Sequence, residues 1–309
     1  MELILEKGLE HQEKAVDALI ATLDGVVMIK PHISYENPTF DKEEICIKHN
    51  LVNIQKSIRT DYRGCRDNGN YLNLDIKMET GTGKTYVYTH SIYEMHKKFG
   101  FNKFIIAVPS LSIKAGTSQF ILDNYVKHHF SDVCGYNCEI ELGVLESPKK
   151  KKKGFLAMPS AVRDFVTGSF QNTNKIYVLL VNMQLLTNGN MLSRSDYDYL
   201  VEGFYRPFDA LKATKPIVII DEPHRFARNQ KAYKTIVGEL CPQMIIRYGA
   251  TFPDITLGTG NNKSTVKDFN NLIYELNACD AFNLNLIKGV AKEHFEPMSQ
   301  KEEKVKLTN

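Results

Sequence analysis

The chain has 309 residues, 43% of them hydrophobic and 24% charged, enough to bury a core without disulfides or structural metals and to fill no more than about two domains. Its 39 Lys and Arg against 36 Asp and Glu leave a formal charge of only +3, so composition announces no nucleic-acid binder and any such contact must come from a local patch. The apolar runs fall far short of the ~20 residues of a membrane helix, and six scattered cysteines make no disulfide framework; a soluble, cytoplasmic protein without a membrane partner is expected.

In chain order, residues 1–70 read as an N-terminal helical segment belonging to the same domain as residues 71–282. Its start, Met1-Glu2-Leu3-Ile4-Leu5-Glu6-Lys7, lacks the basic-then-apolar order of a secretory signal. Apolar runs with little alternation predict strands at 72–77, 103–108, 176–181, 216–220 and 244–248, as for strands buried on both faces of a parallel sheet. Tyr88, Ile92, Met95 and Phe99 recur at helical spacing before Gly100, which stands where a C-cap glycine would. Tyr233, Ile236, Val237 and Leu240 repeat that spacing before Pro242. Such alternation of strand and helix predicts an α/β fold with a mostly parallel sheet flanked by helices. The main body of the domain is expected over 71–282, with an insertion near 130–175. Five consecutive lysines at 149–153 repel one another and suit a solvated loop. The aromatics Tyr197, Tyr199, Phe204, Tyr205 and Phe208 cluster with Leu200 and Val201 in the manner of core packing.

The first strand runs into Met78-Glu79-Thr80-Gly81-Thr82-Gly83-Lys84-Thr85. Phosphate binding needs consecutive backbone N–H groups turned inward, which glycines at 81 and 83 permit, and the helix beyond them adds the positive end of its dipole. Lys84 reaches the β- and γ-phosphates of a nucleotide, and the Thr85 hydroxyl is placed to ligate Mg²⁺. The commoner phosphate-loop pattern has glycine at the position of Met78. The fourth strand ends in Asp221-Glu222-Pro223-His224, at the carboxyl edge where open α/β sheets bind ligands. Asp221 is the expected Mg²⁺ ligand, and Glu222 the group that orients and deprotonates an attacking water.

Asp-Glu-x-His after an apolar strand, with Thr-Gly-Thr-Gly-Lys-Thr upstream, resembles a superfamily 2 helicase or translocase, and so a RecA-like ATP-binding domain. On that resemblance Gln12 matches the glutamine that reads the adenine edge, Pro109 and Ser110 the motif that grips nucleic-acid backbone, and Gly249-Ala250-Thr251 the motif coupling hydrolysis to domain movement, with His224 linking the two sides. Within the superfamily the chain is similar to the Res subunit of type III restriction-modification enzymes. The segments around Met78, Asp221-Glu222-Pro223-His224-Arg225-Phe226, Tyr248-Gly249-Ala250-Thr251-Phe252, and 276–290 carry that likeness. It implies ATP and Mg²⁺ as cofactors, double-stranded DNA as substrate and a modification methyltransferase as partner.

The family's motor closes two RecA-like domains over ATP. Only 58 residues lie beyond Thr251, so a connector over 283–309 toward a missing second domain is expected, with weak turnover by the chain alone. Pro253-Asp254 with Glu275-Leu276-Asn277 downstream imitates a nuclease constellation, but Asn277 stands where its lysine belongs, and the nuclease is expected elsewhere. The alternatives are a different superfamily 2 DNA or RNA helicase, and a nucleotide-binding module without turnover.

Overall fold

The computed structural model describes residues 5–58, 69–147, 156–169, 171–172, 174–188, 191–257 and 263–287; the lysine run at 149–153 and the segment from 288 onward lie outside them. Two helices, α1 (Glu10–Thr22) and α2 (Ile45–Ser57), precede the sheet, and α1 turns Ala15, Val16 and Leu19 inward at helical spacing. Strand β1 (Leu72–Met78) leads to α3 (Lys84–Phe99), which ends at Gly100 in the left-handed conformation (φ 77°), its N–H donating to His96 O at 2.9 Å. Next come β2 (Lys103–Val108), α4 (Leu111–Leu122), α5 (Asn124–His128) with a π turn after it, and β3 (Glu139–Val144). The chain continues through α6 (Ser160–Thr167), β4 (Lys175–Asn182), α7 (Met183–Thr187), α8 (Pro207–Ala213) and β5 (Ile217–Asp221). Helix α9 (Lys231–Thr235) runs on as a π turn to Leu240 and returns the chain to β6 (Met244–Gly249). Then come a hairpin of β7 (Asp254–Leu257) and β8 (Ser264–Lys267), strand β9 (Leu272–Leu276) and α10 (Ala278–Asn283).

Seven strands form one sheet in the order β3-β4-β2-β5-β6-β1-β9, all pairs parallel. One row of the register crosses it from Val144 through Leu180, Ile106, Ile219 and Ile246 to Leu74. Parallel strands require crossovers, and these put helices on both faces. Leu74, Ile106, Ile219 and Ile246 face one core with α1 to α4, while Ile105, Leu179, Val218 and Ile245 face the other with α6 to α9. Each such side chain, fully buried, contributes roughly 1.5–3 kcal/mol. The fold is thus the expected α/β architecture, a parallel central sheet flanked by helices. The strand β6 lies between β1 and β5, so the loop after β1 and the acids after β5 flank its end.

All five strands read from apolar runs are present, to within one residue at either end. Within the stretch read as an insertion, Glu139–Val144 forms the edge strand of the main sheet; Glu139 and Glu141 alternate with apolar residues because one of its faces meets solvent. Beyond Thr251 the chain adds a hairpin and β9, which extends the sheet beside β1. Of the aromatic cluster, Tyr197 and Phe208 are buried, but Tyr199 and Tyr205 are 65% and 51% exposed, so core packing accounts for only part of it. Among the described residues no helix is long and apolar enough to cross a membrane.

Candidate functional site

The loop between β1 and α3 is built by two left-handed glycines and one threonine. Gly81 and Gly83 have φ of 84° and 88°, a conformation that a β-carbon would strain. The Thr82 hydroxyl and N–H both donate to Glu79 O, at 2.7 and 3.4 Å, and the Thr80 N–H donates to Glu79 Oε1 at 2.9 Å. Gly83 caps α3, whose first full turn closes when Val87 N–H donates to Gly83 O at 3.0 Å. The amides of Lys84, Thr85 and Tyr86 precede that bond and have no acceptor within the helix, which makes this end of α3 attractive to anions. Met78 is fully buried on the α1–α4 side, so its bulk lies in the core, away from these amides. From α1, Gln12 Nε2 reaches to 3.4 Å of Thr82 O.

Across the end of β6 stand the acids. Lys84 Nζ lies 3.4 Å from Glu222 Oε1, with both side chains largely buried. Asp221 ends β5 on the face that carries α3, and it is 6% exposed. Its Oδ1 has no hydrogen-bond partner among the described residues. Burial pushes its carboxyl up to about 6, with Glu222 adding to the shift and Lys84 opposing it. Tyr88 on α3 lies close by; its hydroxyl is 3.0 Å from Thr117 Oγ1, and burial together with the charge of Asp221 raises its pKa. A buried, unpartnered carboxylate oxygen is rare in a folded protein. With the Thr85 hydroxyl on α3, it suits a hard divalent cation that keeps several waters.

Backbone strain sharpens this corner. Glu222 adopts φ 55° and ψ 65°, a left-handed conformation costing about 1–3 kcal/mol in a non-glycine residue. Its N–H donates to Tyr248 O at 3.0 Å, and its carbonyl accepts from Arg225 N–H at 3.0 Å. Gly249 allows the turn to approach, since a β-carbon there would stand 2.4 Å from Pro223 Cδ. Beyond the turn, His224 Nδ1 lies 3.0 Å from Thr251 Oγ1 and 3.4 Å from Glu222 Oε2. Glu222 is therefore bracketed by Lys84 and His224, and His224 joins it to the end of β6.

The structure thus gathers Gln12, Thr82, Gly83, Lys84, Asp221, Glu222, His224 and Thr251 at the carboxyl edge of the sheet, with Thr80, Gly81, Thr85 and Ala250 on the same loops. Pro109 and Ser110 stand apart at the end of β2. The Ser110 hydroxyl is spent locally, accepting from Ile113 N–H at 3.3 Å to cap α4. Asn277 likewise caps α10, its Oδ1 accepting from Asp280 N–H at 2.9 Å. A cavity of about 1050 Å³ lies away from Lys84, beside the ends of β3 and β4, and is lined by Leu145, Ser160, Gln184, Met191 and Arg194 among others.

One buried group escaped the sequence reading. Arg247 is fully buried and grips Asp75 with two hydrogen bonds, Nε to Oδ1 at 2.6 Å and Nη2 to Oδ2 at 2.9 Å. It also donates to Asp268, which Arg228 holds from the loop after the acids, Nε to Oδ1 at 2.7 Å. The signal was present as an arginine and an aspartate inside two apolar runs, in direct register across β1 and β6.

Residues 6–254 match the family described as type III restriction enzyme, res subunit. The chain is 40% identical over 295 residues to the Res subunit of the type III restriction-modification enzyme StyLTI of Salmonella typhimurium, covering 94% of this chain and 27% of that protein. It is 39% identical over 295 residues to the EcoPI Res subunit of Escherichia phage P1, covering 92% of this chain and 28% of the relative. The chain therefore spans little more than a quarter of the length of these curated relatives. Among solved structures, a nuclease-deletion mutant of the Type ISP restriction-modification enzyme LlaGI bound to a DNA substrate mimic aligns with 77% of this chain and 20% of its own, at 13% identity and a TM-score of 0.38.

Proposed function

This chain belongs to the Res-subunit family of type III restriction enzymes, and from that premise we propose that it is the ATP- and Mg²⁺-dependent motor domain of a DNA-translocating restriction subunit. The observation that carries the reading is Lys84 at 3.4 Å from Glu222, beside the Asp221 Oδ1 that has no hydrogen-bond partner among the described residues. The amides around Gly81, Thr82 and Gly83 cradle the phosphates, with Thr80 at the loop's mouth, and Gln12 takes the adenine edge. Thr85 and Asp221 would hold a divalent metal, which when bound would offset charge on the phosphate oxygens.

Without a triphosphate, Lys84 is paired with Glu222. Phosphate oxygens at the loop compete for the same ammonium and leave Glu222 to orient a water and take its proton. His224, bonded to Thr251, reports the state of Glu222 to Ala250 and the end of β6. Pro109 and Ser110, on the same sheet edge, face the duplex DNA. A second RecA-like domain and the nuclease belong to the remainder of a longer enzyme, which works with a modification methyltransferase in the cytoplasm. The five described cysteines are free thiols, in keeping with that compartment.

The test is Mg²⁺-dependent ATP turnover by the purified chain with and without duplex DNA, beside E222Q. Turnover that rises with duplex DNA and vanishes in E222Q supports a DNA motor. Stimulation by RNA alone would assign the same site to an RNA helicase, and failure of Mg²⁺-ATP to bind through Lys84 would contradict the reading.

A further inference from the structure

Two consecutive side chains of α1 meet the same atom of the phosphate loop. His11 Nε2 lies 3.1 Å from Thr82 O, and Gln12 Nε2 lies 3.4 Å from it. All three residues are buried, at 7%, 7% and 3% exposure. A carbonyl oxygen only accepts, so this contact puts the His11 proton on Nε2; the oxygen's two lone pairs serve both donors. The bonds are unequal, because 3.1 Å is within the usual N–H···O range and 3.4 Å is beyond it. The Gln12 amide also occupies space that only a glycine at 83 leaves open, since a β-carbon there would stand 2.4 Å from Gln12 Nε2. Gln12 is therefore free to turn toward a base without leaving Thr82 O bare.

The bond that stays has a geometric consequence. In a trans peptide the carbonyl and the next N–H point in opposite directions. Holding Thr82 O toward α1 aims the Gly83 N–H the other way, into the concavity formed by Gly81, Gly83 and the start of α3. Resting on the nucleotide-binding reading above, we propose that His11 is a positioning residue: it fixes the Thr82–Gly83 peptide plane for phosphate and so releases Gln12 to read the base. Loop geometry and base recognition then depend on adjacent residues that share one acceptor.

Calorimetry on the full chain separates the two roles, using ATP, GTP and inorganic tripolyphosphate as probes. H11A is expected to weaken all three by a factor of about 5–30, the effect of baring one buried carbonyl, and to narrow the ATP-to-GTP ratio as well, because Gln12 is then held at Thr82 O. H11Q, which still presents an amide donor, is expected to recover tripolyphosphate affinity to within roughly threefold. Q12A is expected to collapse the ATP-to-GTP ratio. The proposal is overturned if H11A binds tripolyphosphate as the wild type does, or keeps the full wild-type ATP-to-GTP ratio. Should H11A not fold, H11Q decides: loss of tripolyphosphate binding by a folded H11Q also overturns it. If the wild type and K84A bind tripolyphosphate equally, the nucleotide reading itself is wrong and the proposal falls with it.

Discussion

On the α6–α9 face of the sheet, Asp75, Arg247, Asp268 and Arg228 form a closed set of charges, whereas on the α3 face Lys84, Asp221 and Glu222 form an open one. In the closed set two cations balance two anions and every carboxylate oxygen has a donor: Asp75 Oδ2 accepts from Asn270 N–H as well as Arg247, and both oxygens of Asp268 accept from Arg228. In the open set two acids share one lysine, Asp221 Oδ1 has no described partner, and Glu222 holds a left-handed backbone. Both sets draw on β1, β5 and β6 or the loops they lead into. The difference teaches how one sheet divides its work. A completed buried network fixes the relative placement of strands, while an incomplete one keeps charge ready for a ligand that finishes it.

The sharpest way to break this contrast is Arg247→Ala, which leaves Asp75 and Asp268 buried with too few donors. Urea denaturation should show a loss of about 3–5 kcal/mol, and a near-neutral result would mean that the set is not closed. On the open side, Glu222→Gln should leave the fold intact and ATP bound while lowering turnover by about 10²–10⁴-fold, read in steady-state hydrolysis. Gly249→Ala forces a methyl against Pro223 and should cost about 1–3 kcal/mol, with turnover falling because the displaced turn carries Glu222; thermal melts and hydrolysis together check it.

The smallest expected effect concerns Asp221. Its carboxyl titrates near 6 in the fold against an ordinary 3.8, so the folded state takes up the proton first as pH falls. Stability from this group should therefore rise as pH drops from about 7 and be complete below its ordinary pKa. Asp221→Asn has no such proton to gain. At pH 7 it should be the more stable protein by about 1–2 kcal/mol, and the gap should close toward pH 4. A gap that stays constant with pH would show that Asp221 already has a partner in the folded protein.

The sequence disclosed the central strands and the open set for related reasons. Strands buried on both faces, such as β2 and β5, must be apolar throughout, and the loops after β1 and β5 carry residue types that few structural demands explain. Strand β3 was hidden because an edge strand alternates with charge, as Glu139 and Glu141 do. Strand β9 was hidden because Tyr274 and Glu275 interrupt a short run. The closed set was illegible for a deeper reason: Arg247 and Asp75 are 172 positions apart, and nothing short of the β1–β6 register brings them together. The contacts of His11 and His224 were visible as residue types only, and their partners Thr82 and Thr251 come from the fold.

The most direct test of a nucleotide site at Lys84 is calorimetric titration of Mg²⁺-ATP into the wild-type chain and Lys84→Ala, with thermal melts of both. A single site is expected in the wild type, with binding weakened at least about tenfold in the variant by loss of a charge-assisted contact, and with little change in melting temperature. Equal binding by the two proteins would contradict that placement, because the nucleotide would then sit somewhere other than the edge where Lys84 meets Glu222.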